Sequence, residues 1–477
     1  MILSIKRRYW GYFFLVVSLL IIYVATISPF NFTIPQDFSG KSILKGFRFG
    51  SNLKDYWHNI LLFIPFGFSI SIIVNNRQKL FWITIVYSLL AGLFLSISVE
   101  ITQLFLPSRV SNLTDIIYNS LGGLSGGILY SLRGKVIFFV GAIITGNIDR
   151  LSYRSILTAI LGYCLTIAFA ISILSLNVNL SNWDDNYYLA IGNEVTGNRP
   201  WDGYIKNLYI SDRGLDPQEI EAALQDSDRF FGRDSNALTH LVFNRDRQVY
   251  RDENRFLPDL ISQDKSRIQV PTKVAKSLDE PPENICLNRQ QSTANSVHIN
   301  ANNWLKTQVP ATPISQRLKQ TSKFAIATTF ASNNLNQGGP ARIVSLSKNI
   351  STQNIILGQR KRDLYFRLRT PITGLNATNP EFFISNVLND CLFHHVLIEF
   401  DNNRLDMYLD SLDKKYSFAF NSFNNYPIFI SWSRRGRQID LNNFDRAKQK
   451  QNFYTITLIP LGLLLLLLPW KYIHLAK

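Results

Sequence analysis

The sequence predicts an α-helical membrane bundle of about six transmembrane helices, joined to a large polar domain built from β-strands. Mean hydropathy over the 477 residues is near zero, but this average hides a sharp division. Residues 1–176 are mainly long apolar runs, residues 177–452 are polar with interspersed aromatic side chains, and residues 453–477 open with another apolar run. A chain of this length is expected to hold two or more domains. The three blocks are therefore predicted to be a membrane bundle, a polar domain, and a final transmembrane helix with a short tail.

Six apolar segments are long enough to cross a bilayer, which takes about 20 helical residues with a range of roughly 17–25. The run Val136–Thr145 is short for a span and is predicted to be a re-entrant or interfacial piece. The first segment lacks a small-residue cleavage site, so we interpret it as an uncleaved helix rather than a signal peptide. The predicted spans are residues 10–28, 59–75, 80–105, 113–132, 156–176 and 453–470.

The net charge of +16 does not indicate a nucleic-acid-binding protein. The polar domain holds 34 Lys and Arg against 29 Asp and Glu, whereas the rest of the chain holds 16 against 5, mostly in loops beside the spans. Such basic loops mark the cytoplasmic side of an inner (plasma) membrane protein. Residues 29–57, 106–112 and 177–452 are then predicted to be extracytoplasmic. The basic loop residues on the opposite side are Lys6, Arg7, Arg8, Arg77, Lys79, Arg133, Lys135, Arg150 and Arg154.

Polar side chains inside the third and fourth spans indicate a functional site. A carboxylate such as Glu100 costs about 2.5–3.5 kcal/mol within a span, so it normally faces the bundle interior. Gln103 lies three residues further along the same helix face, and Asp115 and Asn119 are four residues apart on the next span. Glycines continue that second face and allow close helix packing. The predicted ligand-binding residues, near one outer membrane level, are Asn59, Glu100, Gln103, Arg109, Asp115 and Asn119.

Two other roles fit the same residues. In a structural role, Glu100 and Arg109 neutralise one another, Asp115 caps the fourth helix, and Asn59 bonds to a backbone carbonyl. In a catalytic role, Glu100 or Asp115 acts as acid or base on a lipid-linked substrate while Arg109 holds an anionic group. The sequence alone does not decide between these roles and ligand binding.

Several motifs keep a joint order and spacing over residues 1–132, and together they resemble the VanZ-like family. That family is named for a protein linked to resistance to glycopeptide antibiotics, notably teicoplanin. The resemblance implies an integral membrane protein of the bacterial cell envelope, and it supplies no settled mechanism. The motifs are Asp55-x-x-His58-Asn59-x-x-x-Phe63-x-Pro65-x-Gly67, Ser98-x-Glu100-x-x-Gln103, Pro107-x-Arg109 and Asp115-x-x-x-Asn119-x-x-Gly122.

The polar domain begins with strand-like alternation at residues 187–191 and 204–210, followed by a helix start at Asp216-Pro217. This stretch resembles the last strands of a LamG-like, concanavalin A-like sandwich. The strands that would form the first half of such a sandwich come later in this chain, between residues 324 and 409. The resemblance implies a circularly permuted all-β domain. Its predicted parts are residues 177–224 and 318–430, with a connector at 225–317.

Lectin-like sandwiches bind sugars or proteins through their loops, and aromatic side chains here offer stacking surfaces. The glycan-binding candidates are Trp183, Trp201 and Tyr204, although the core of a hairpin explains Trp201 and Tyr204 better. No paired carboxylates of a glycosidase stand out: Glu399-Phe400-Asp401 has no clear acid partner.

Oxygen-bearing side chains in the same stretch raise the question of a calcium site, which needs six to eight oxygen ligands. The residues concerned are Asp184, Asp185, Asn193 and Glu194. Turn hydrogen bonds and a Glu194–Arg199 ion pair explain them better, so neither a metal nor a cofactor is predicted. Cys286 and Cys391 would form a disulfide if the domain is extracytoplasmic, but their spacing alone does not decide this.

Together these features predict a membrane protein of the bacterial envelope that binds or modulates an amphipathic molecule, such as a wall precursor or a glycopeptide. Its expected partners are the lipid bilayer and an envelope glycan, a lipid-linked precursor or a protein ligand. The alternatives are a membrane-embedded enzyme using Glu100, Asp115 and Arg109, and a purely architectural scaffold.

Overall fold

The computed structural model describes residues 2–27, 30, 32, 53–74, 81–106, 111–147, 150–175, 178–226, 229–230, 237–244, 246–263, 295–401, 403–430 and 437–475. The chain divides into two compact units. The first comprises Met1–Ala170 with Tyr454–Lys477, and the second comprises Ile171–Phe453.

The first unit is helical. Within the described ranges, six helices are long and apolar enough to cross a membrane, in agreement with the predicted number. Most of their large apolar side chains are exposed, as expected for surfaces that meet lipid rather than water. The helices are α1 (Ile2–Ile27), α2 (Leu53–Val74), α3 (Phe81–Gln103), α4 (Leu113–Ile144), α5 (Tyr153–Leu174) and, after the second unit, α9 (Arg446–Leu475).

Helix α4 is longer than predicted. The short piece Val136–Thr145 is not separate, because α4 continues without a break to Ile144. Basic residues around Gly134 suggested a loop, but no proline interrupts the run, and a glycine within a helix costs only about 1 kcal/mol relative to alanine. The guanidinium of Arg133 lies over the ring of Tyr130, with 3.8 Å between its central carbon and the ring centroid.

Glycines set the distance between α2 and α4, as the four-residue spacing predicted. A Cβ atom built on Gly122 would lie 2.4 Å from the carbonyl oxygen of Ile60, and one on Gly126 would lie 2.2 Å from that of Ile64. From the first of these contacts to the second, the residue numbers increase along both helices, so α2 and α4 run parallel. Backbones in contact gain dispersion energy that bulkier side chains would prevent, and such packing drives helix association in lipid.

The second unit is a sandwich-like pair of β-sheets. The strands are β1 (Tyr188–Ile191), β2 (Gly203–Ser211), β3 (Ala237–Val242), β4 (Val249–Tyr250), β5 (Leu260–Ser262), β6 (Val297–Ile299), β7 (Leu305–Thr307), β8 (Phe324–Ser332), β9 (Ala341–Asn349), β10 (Thr352–Arg360), β11 (Asp363–Leu368), β12 (Glu381–Ile384), β13 (His394–Asp401), β14 (Arg404–Leu409), β15 (Ser411–Ala419) and β16 (Gln438–Asp440). One sheet has nine strands in the order β16-β12-β11-β10-β9-β1-β7-β5-β4, and the other has the path β15-β14-β13-β8-β2-β3, with β6 also pairing with β2. Along these paths in the described residues, neighbouring strands are antiparallel apart from the parallel pair β12–β16.

Aromatic side chains fill the space between the two sheets. The ring of Phe382 on β12 packs 5.0 Å from that of Phe418 on β15, measured between centroids. Each buried aromatic ring contributes a large apolar area, which makes such pairs a main source of stability. Three shorter helices complete the unit: α6 (Pro217–Gln225), α7 (Thr312–Thr321) and α8 (Ser422–Ile430).

Strands from distant parts of the chain are neighbours in both sheets. Strand β2 pairs with β8, with Tyr209 opposite Ala327, and β1 pairs with β9, with Ala190 opposite Ser345. The residues before and after the predicted connector therefore share one pair of sheets. The connector itself contributes β3 to β7.

Candidate functional site

Glu100 connects the end of α3 to the start of α4 through hydrogen bonds. Its side chain is only 1% exposed, and its Oε2 accepts a hydrogen bond from the backbone N–H of Asn112 at 2.6 Å. Asn112 is the N-cap of α4, and its own side chain accepts from the N–H of Thr114 at 3.1 Å. The hydroxyl of Ser111 donates to the backbone carbonyl of Glu100 at 2.8 Å. These contacts satisfy backbone groups that the bilayer would otherwise leave unpaired.

Asp115 lies in the first turn of α4, close enough to Glu100 for their charges to interact. The structural alternative placed Asp115 at the cap of this helix, but Asn112 occupies the cap position. An acidic side chain in the first turn is still favourable, since the helix N-terminus carries a partial positive charge. Arg109, the expected partner of these carboxylates, lies outside the described residues.

Two asparagines place unsatisfied amide atoms between the helices. Asn119 on α4 donates through Nδ2 to the hydroxyl of Ser96 at 2.9 Å, but its Oδ1 is buried and has no hydrogen-bond partner in the described part of the chain. The same holds for Nδ2 of Asn59 on α2. One buried atom is thus a free acceptor and the other a free donor, each at a cost of several kcal/mol in a lipid environment.

The packing of α2 on α4 brings these two asparagines to a similar level. Gly122, one turn after Asn119, contacts Ile60, which follows Asn59. Beside them, the rings of Tyr56 and Tyr118 stack with their centroids 4.1 Å apart. We call Asn59, Asn119 and Ser96, with this tyrosine stack, the asparagine cluster.

Gln103 is not part of the asparagine cluster. Its Nε2 donates to the backbone carbonyl of Thr26 on α1 at 3.0 Å, so it joins α1 to α3. The predicted residues therefore separate into Glu100 and Asp115 at the start of α4, the two asparagines between α2 and α4, and Gln103 against α1. Sequence reasoning missed Asn112. An amide three residues before an acidic side chain, at the start of an apolar run, is a capping signal that would have revealed it.

Two of the three glycan-binding candidates cannot stack on a sugar. Trp201 is 0% exposed, and its Nε1 donates to Oε1 of Gln359 at 2.8 Å. Trp183 is also buried, with its Nε1 bonded to a backbone carbonyl. The prediction is wrong for both, because each indole is part of the sandwich interior. Tyr204 is half-buried and stacks on His298, with 4.7 Å between ring centroids.

The acidic residues at the start of the sandwich do not assemble a calcium site. Asp185 forms an ion pair with Lys319 at 2.8 Å, and Asp184 accepts from a backbone N–H two residues ahead. Asn193 and Glu194 accept hydrogen bonds within their own turn. Among the residues that the structure describes, no three side chains are grouped to hold a metal ion. The turn hydrogen bonds expected from the sequence are present, without the expected Glu194–Arg199 ion pair in this part of the chain.

The described residues include one of the two cysteines of the predicted disulfide. Cys391 is disulfide-bonded, Cys286 lies outside the described residues, and Cys164 on α5 is a free thiol.

Several apolar helices enclosing buried polar groups define the first unit as the membrane domain of a multi-pass membrane protein. Residues 12–138 match the VanZ/LLP1 family, so they form a VanZ-like domain that holds both asparagines of the cluster and Glu100. The chain is similar to protein VanZ of Enterococcus faecium, with 31% identity over 110 residues. This match covers 21% of the chain and 65% of that protein, slightly less than two thirds of its length. No solved structure matches the chain.

Proposed function

We propose that the VanZ-like domain binds an amphipathic envelope molecule, such as a wall precursor or a glycopeptide, through the asparagine cluster. One observation carries this proposal: Asn59 Nδ2 and Asn119 Oδ1 are buried between apolar helices without protein partners among the described residues. Buried polar atoms are nearly always hydrogen-bonded, and those left unpaired in a native structure call for an explanation. A polar group from a membrane-borne ligand explains both atoms together.

The free atoms restrict the chemistry of that ligand. A donor on Asn59 and an acceptor on Asn119 are complementary to a group that both accepts and donates, such as an amide or a hydroxyl. Peptide-bearing wall precursors and glycopeptides carry many such groups, and the lipid tail of a lipid-linked precursor suits the exposed apolar helix surfaces. The link of the VanZ family name to glycopeptide resistance supports the same class of ligand.

Binding is better supported than catalysis. The catalytic alternative requires Glu100 or Asp115 to exchange protons with a substrate while Arg109 holds an anion. Glu100 instead holds the start of α4 through Asn112. A carboxylate committed to a helix start is better suited to positioning the cluster than to proton transfer.

For the second unit we propose a circularly permuted LamG-like sandwich on the extracytoplasmic side that recognises an envelope glycan or a protein. Its two sheets, with β2 beside β8, support a permuted order, and the basic early loops support the orientation. With Trp183 and Trp201 buried, any ligand surface must involve other residues.

The test uses the full chain in lipid nanodiscs with two isosteric variants, Asn59→Leu and Asn119→Leu. Thr166→Val is the control, because Thr166 lies on α5 and its hydroxyl donates within its own helix. The probes are a fluorescent glycopeptide antibiotic and a lipid-linked wall precursor. We expect each Leu variant to bind at least one probe roughly tenfold more weakly, as loss of one hydrogen bond implies, and the control to bind normally.

Thermal stability separates ligand binding from a structural role. Asn59→Leu removes an unsatisfied buried donor and should leave the unfolding temperature unchanged or raise it. Asn119→Leu also removes the hydrogen bond to Ser96, so its unfolding temperature should be somewhat lower than that of Asn59→Leu. Normal binding of both probes by both Leu variants would refute the proposal. Reduced stability of those variants with unchanged binding would show that the asparagines only pack the helices.

A further inference from the structure

Arg342, the second residue of β9, is a buried cation without an ion-pair partner in the described part of the chain. It is 2% exposed, and its Nε and Nη1 atoms are buried with no hydrogen bond. Burial lowers the pKa of its guanidinium to about 9. A buried charge that lacks hydrogen bonds costs several kcal/mol, so arginine is rarely retained in such a place unless something completes its contacts.

The charged groups around Arg342 are mostly occupied. Arg367 on β11 forms an ion pair with Glu381 on β12 at 2.5 Å. The carboxylate of Glu194 accepts from the backbone N–H groups of Thr196 and Asn198, each at 3.0 Å. Both carboxylates act on Arg342 only through space, against the opposing charges of Arg367 and Arg199. Three guanidinium groups therefore face two carboxylates, which leaves a local excess of positive charge.

A second unpaired donor lies in the turn that follows β1. Asn193 is fully buried; its Oδ1 accepts from the N–H groups of Glu194 and Arg199, each at 2.9 Å, while its Nδ2 has no partner in the described ranges. The backbone carbonyl of Asn193 accepts from the Ser345 hydroxyl on β9 at 2.8 Å. Arg199 connects this turn to Arg342, since the backbone carbonyl of Arg199 accepts a hydrogen bond from the N–H of Arg342 at 3.1 Å.

We propose that Asn193 and Arg342 form a binding site for an oxyanion, namely the carboxylate, phosphate or sulfate group of an envelope polymer or of a small solute. The unpaired atoms of these two residues, Nδ2 of Asn193 and Nε and Nη1 of Arg342, are all N–H donors. Arg199 links the two residues through its backbone N–H and carbonyl. A guanidinium is well suited to oxyanions, because charge-assisted hydrogen bonds are about twice as strong as neutral ones. The side chain of Arg199 is exposed and its positive charge attracts anions from solution.

A structural explanation makes a different prediction. If Arg342 serves only as a distant counter-ion to the buried Glu194, it needs no bound anion and added anions have no specific effect. The variant Asn193→Asp distinguishes the two explanations. This change keeps Oδ1, which holds the turn, and replaces the unpaired N–H₂ with a carboxylate oxygen that imitates a bound anion.

The experiment measures unfolding of the full chain in detergent, followed by tryptophan fluorescence, at constant ionic strength. Inorganic phosphate and sulfate are compared with chloride, and a glucuronate-containing oligosaccharide represents the acidic polymer. The variants are Asn193→Asp and Arg342→Gln. Arg404→Gln is the control, because Arg404 is half-exposed on the other sheet and pairs with Asp406 at 2.8 Å.

We expect phosphate or sulfate at about 100 times its dissociation constant to raise the unfolding temperature of the unmodified chain and of Arg404→Gln by several degrees. The shift should be lost in Asn193→Asp, whose unfolding temperature without added anion should equal or exceed that of the unmodified chain. Arg342→Gln should also lose the shift. A response to the oligosaccharide alone would identify the polymer as the source of the anion, and a response to phosphate alone would identify a small solute.

Two results would overturn the site. One is an unmodified chain that responds equally to chloride and to every oxyanion probe. The other is a shift that persists in Asn193→Asp, which decides the question even if Arg342→Gln does not fold.

Discussion

Gly67 and Gly123 meet backbone to backbone: a Cβ atom built on Gly67 would lie 2.0 Å from the carbonyl oxygen of Gly123. Real Cβ contacts are essentially never shorter than 3.0 Å, so a larger residue at Gly67 would force α2 away from α4. The contact holds α2 against α4 and keeps Asn59 at the level of Asn119. The glycines of the motif therefore act on the candidate site through the distance between two helices.

Gly122→Ala should destabilise the bundle, because its new Cβ would lie 2.4 Å from the Ile60 carbonyl oxygen. Gly134→Ala, on the same helix, is the matched control, since no neighbouring atom of the described residues lies within 4 Å of a Cβ placed there. Helix propensity alone favours alanine by about 1 kcal/mol, so the control should be neutral or stabilising. Thermal unfolding in detergent measures both variants, and equal stability of the two would contradict the close packing.

Glu100→Gln should preserve the start of α4, because the glutamine oxygen still accepts the hydrogen bond from Asn112. Glu100→Leu removes that acceptor and should cost about 1–3 kcal/mol, the usual penalty for an unsatisfied buried group. The yield of inserted protein and its unfolding temperature are the measurements. If Glu100→Leu matched the unmodified chain in both, Glu100 would have no part in holding α4.

The sandwich should become less stable as the pH rises through neutrality. Burial on β13 raises the pKa of Glu399 from 4.5 to about 7, although its Oε1 accepts from the N–H of Leu215 at 2.7 Å. Because the folded pKa lies above the unfolded one, the stabilising contribution of the neutral acid is complete below about pH 4.5 and is lost as the pH passes 7. Such a shift corresponds to at most about 3 kcal/mol.

Glu399→Gln should therefore raise the unfolding temperature at pH 8 and change it little at pH 4.5. Glu221→Gln, on the exposed side of α6, serves as the control and should show no such dependence. Fluorescence-detected unfolding across this pH range is the measurement. A stabilisation of Glu399→Gln that is the same at both pH values would show that the charge of Glu399 is not involved.

A cysteine at Ser351 should report which side of the membrane holds the sandwich. Ser351 lies exposed in the turn between β9 and β10, and replacing Cys164 by serine removes the free thiol of α5. An impermeant maleimide should label Ser351→Cys in intact spheroplasts, because the basic early loops predict an extracytoplasmic domain. Labelling that required lysis of the cells would reverse the proposed orientation.

The sequence predicted the helical bundle because a bilayer demands long apolar segments and close packing demands small residues at regular intervals. The glycine face of α4 followed from spacing alone. The interior position of Trp183 did not, because Trp183 lies in irregular chain before β1, where no alternation assigns its side chain to a face. Arg342 escaped notice for a related reason: the pairing of β9 with β10 shifts register beside it, at Leu357 and Gly358, and such an irregularity redirects side chains.

The pairing of β2 with β8 also fixes an order of events during synthesis. More than 100 residues separate the two strands, so β2 leaves the ribosome several seconds before its partner at roughly 5–20 residues per second. During that interval the edge of β2 that β8 later covers is unpaired and open to wrong associations, while β3 and β6 emerge earlier and pair with its other edge. The sandwich closes only after β15 has emerged, shortly before α9 reaches the membrane. Truncated chains that end before β8 should therefore be targets for quality-control proteases, while their membrane helices are already in place.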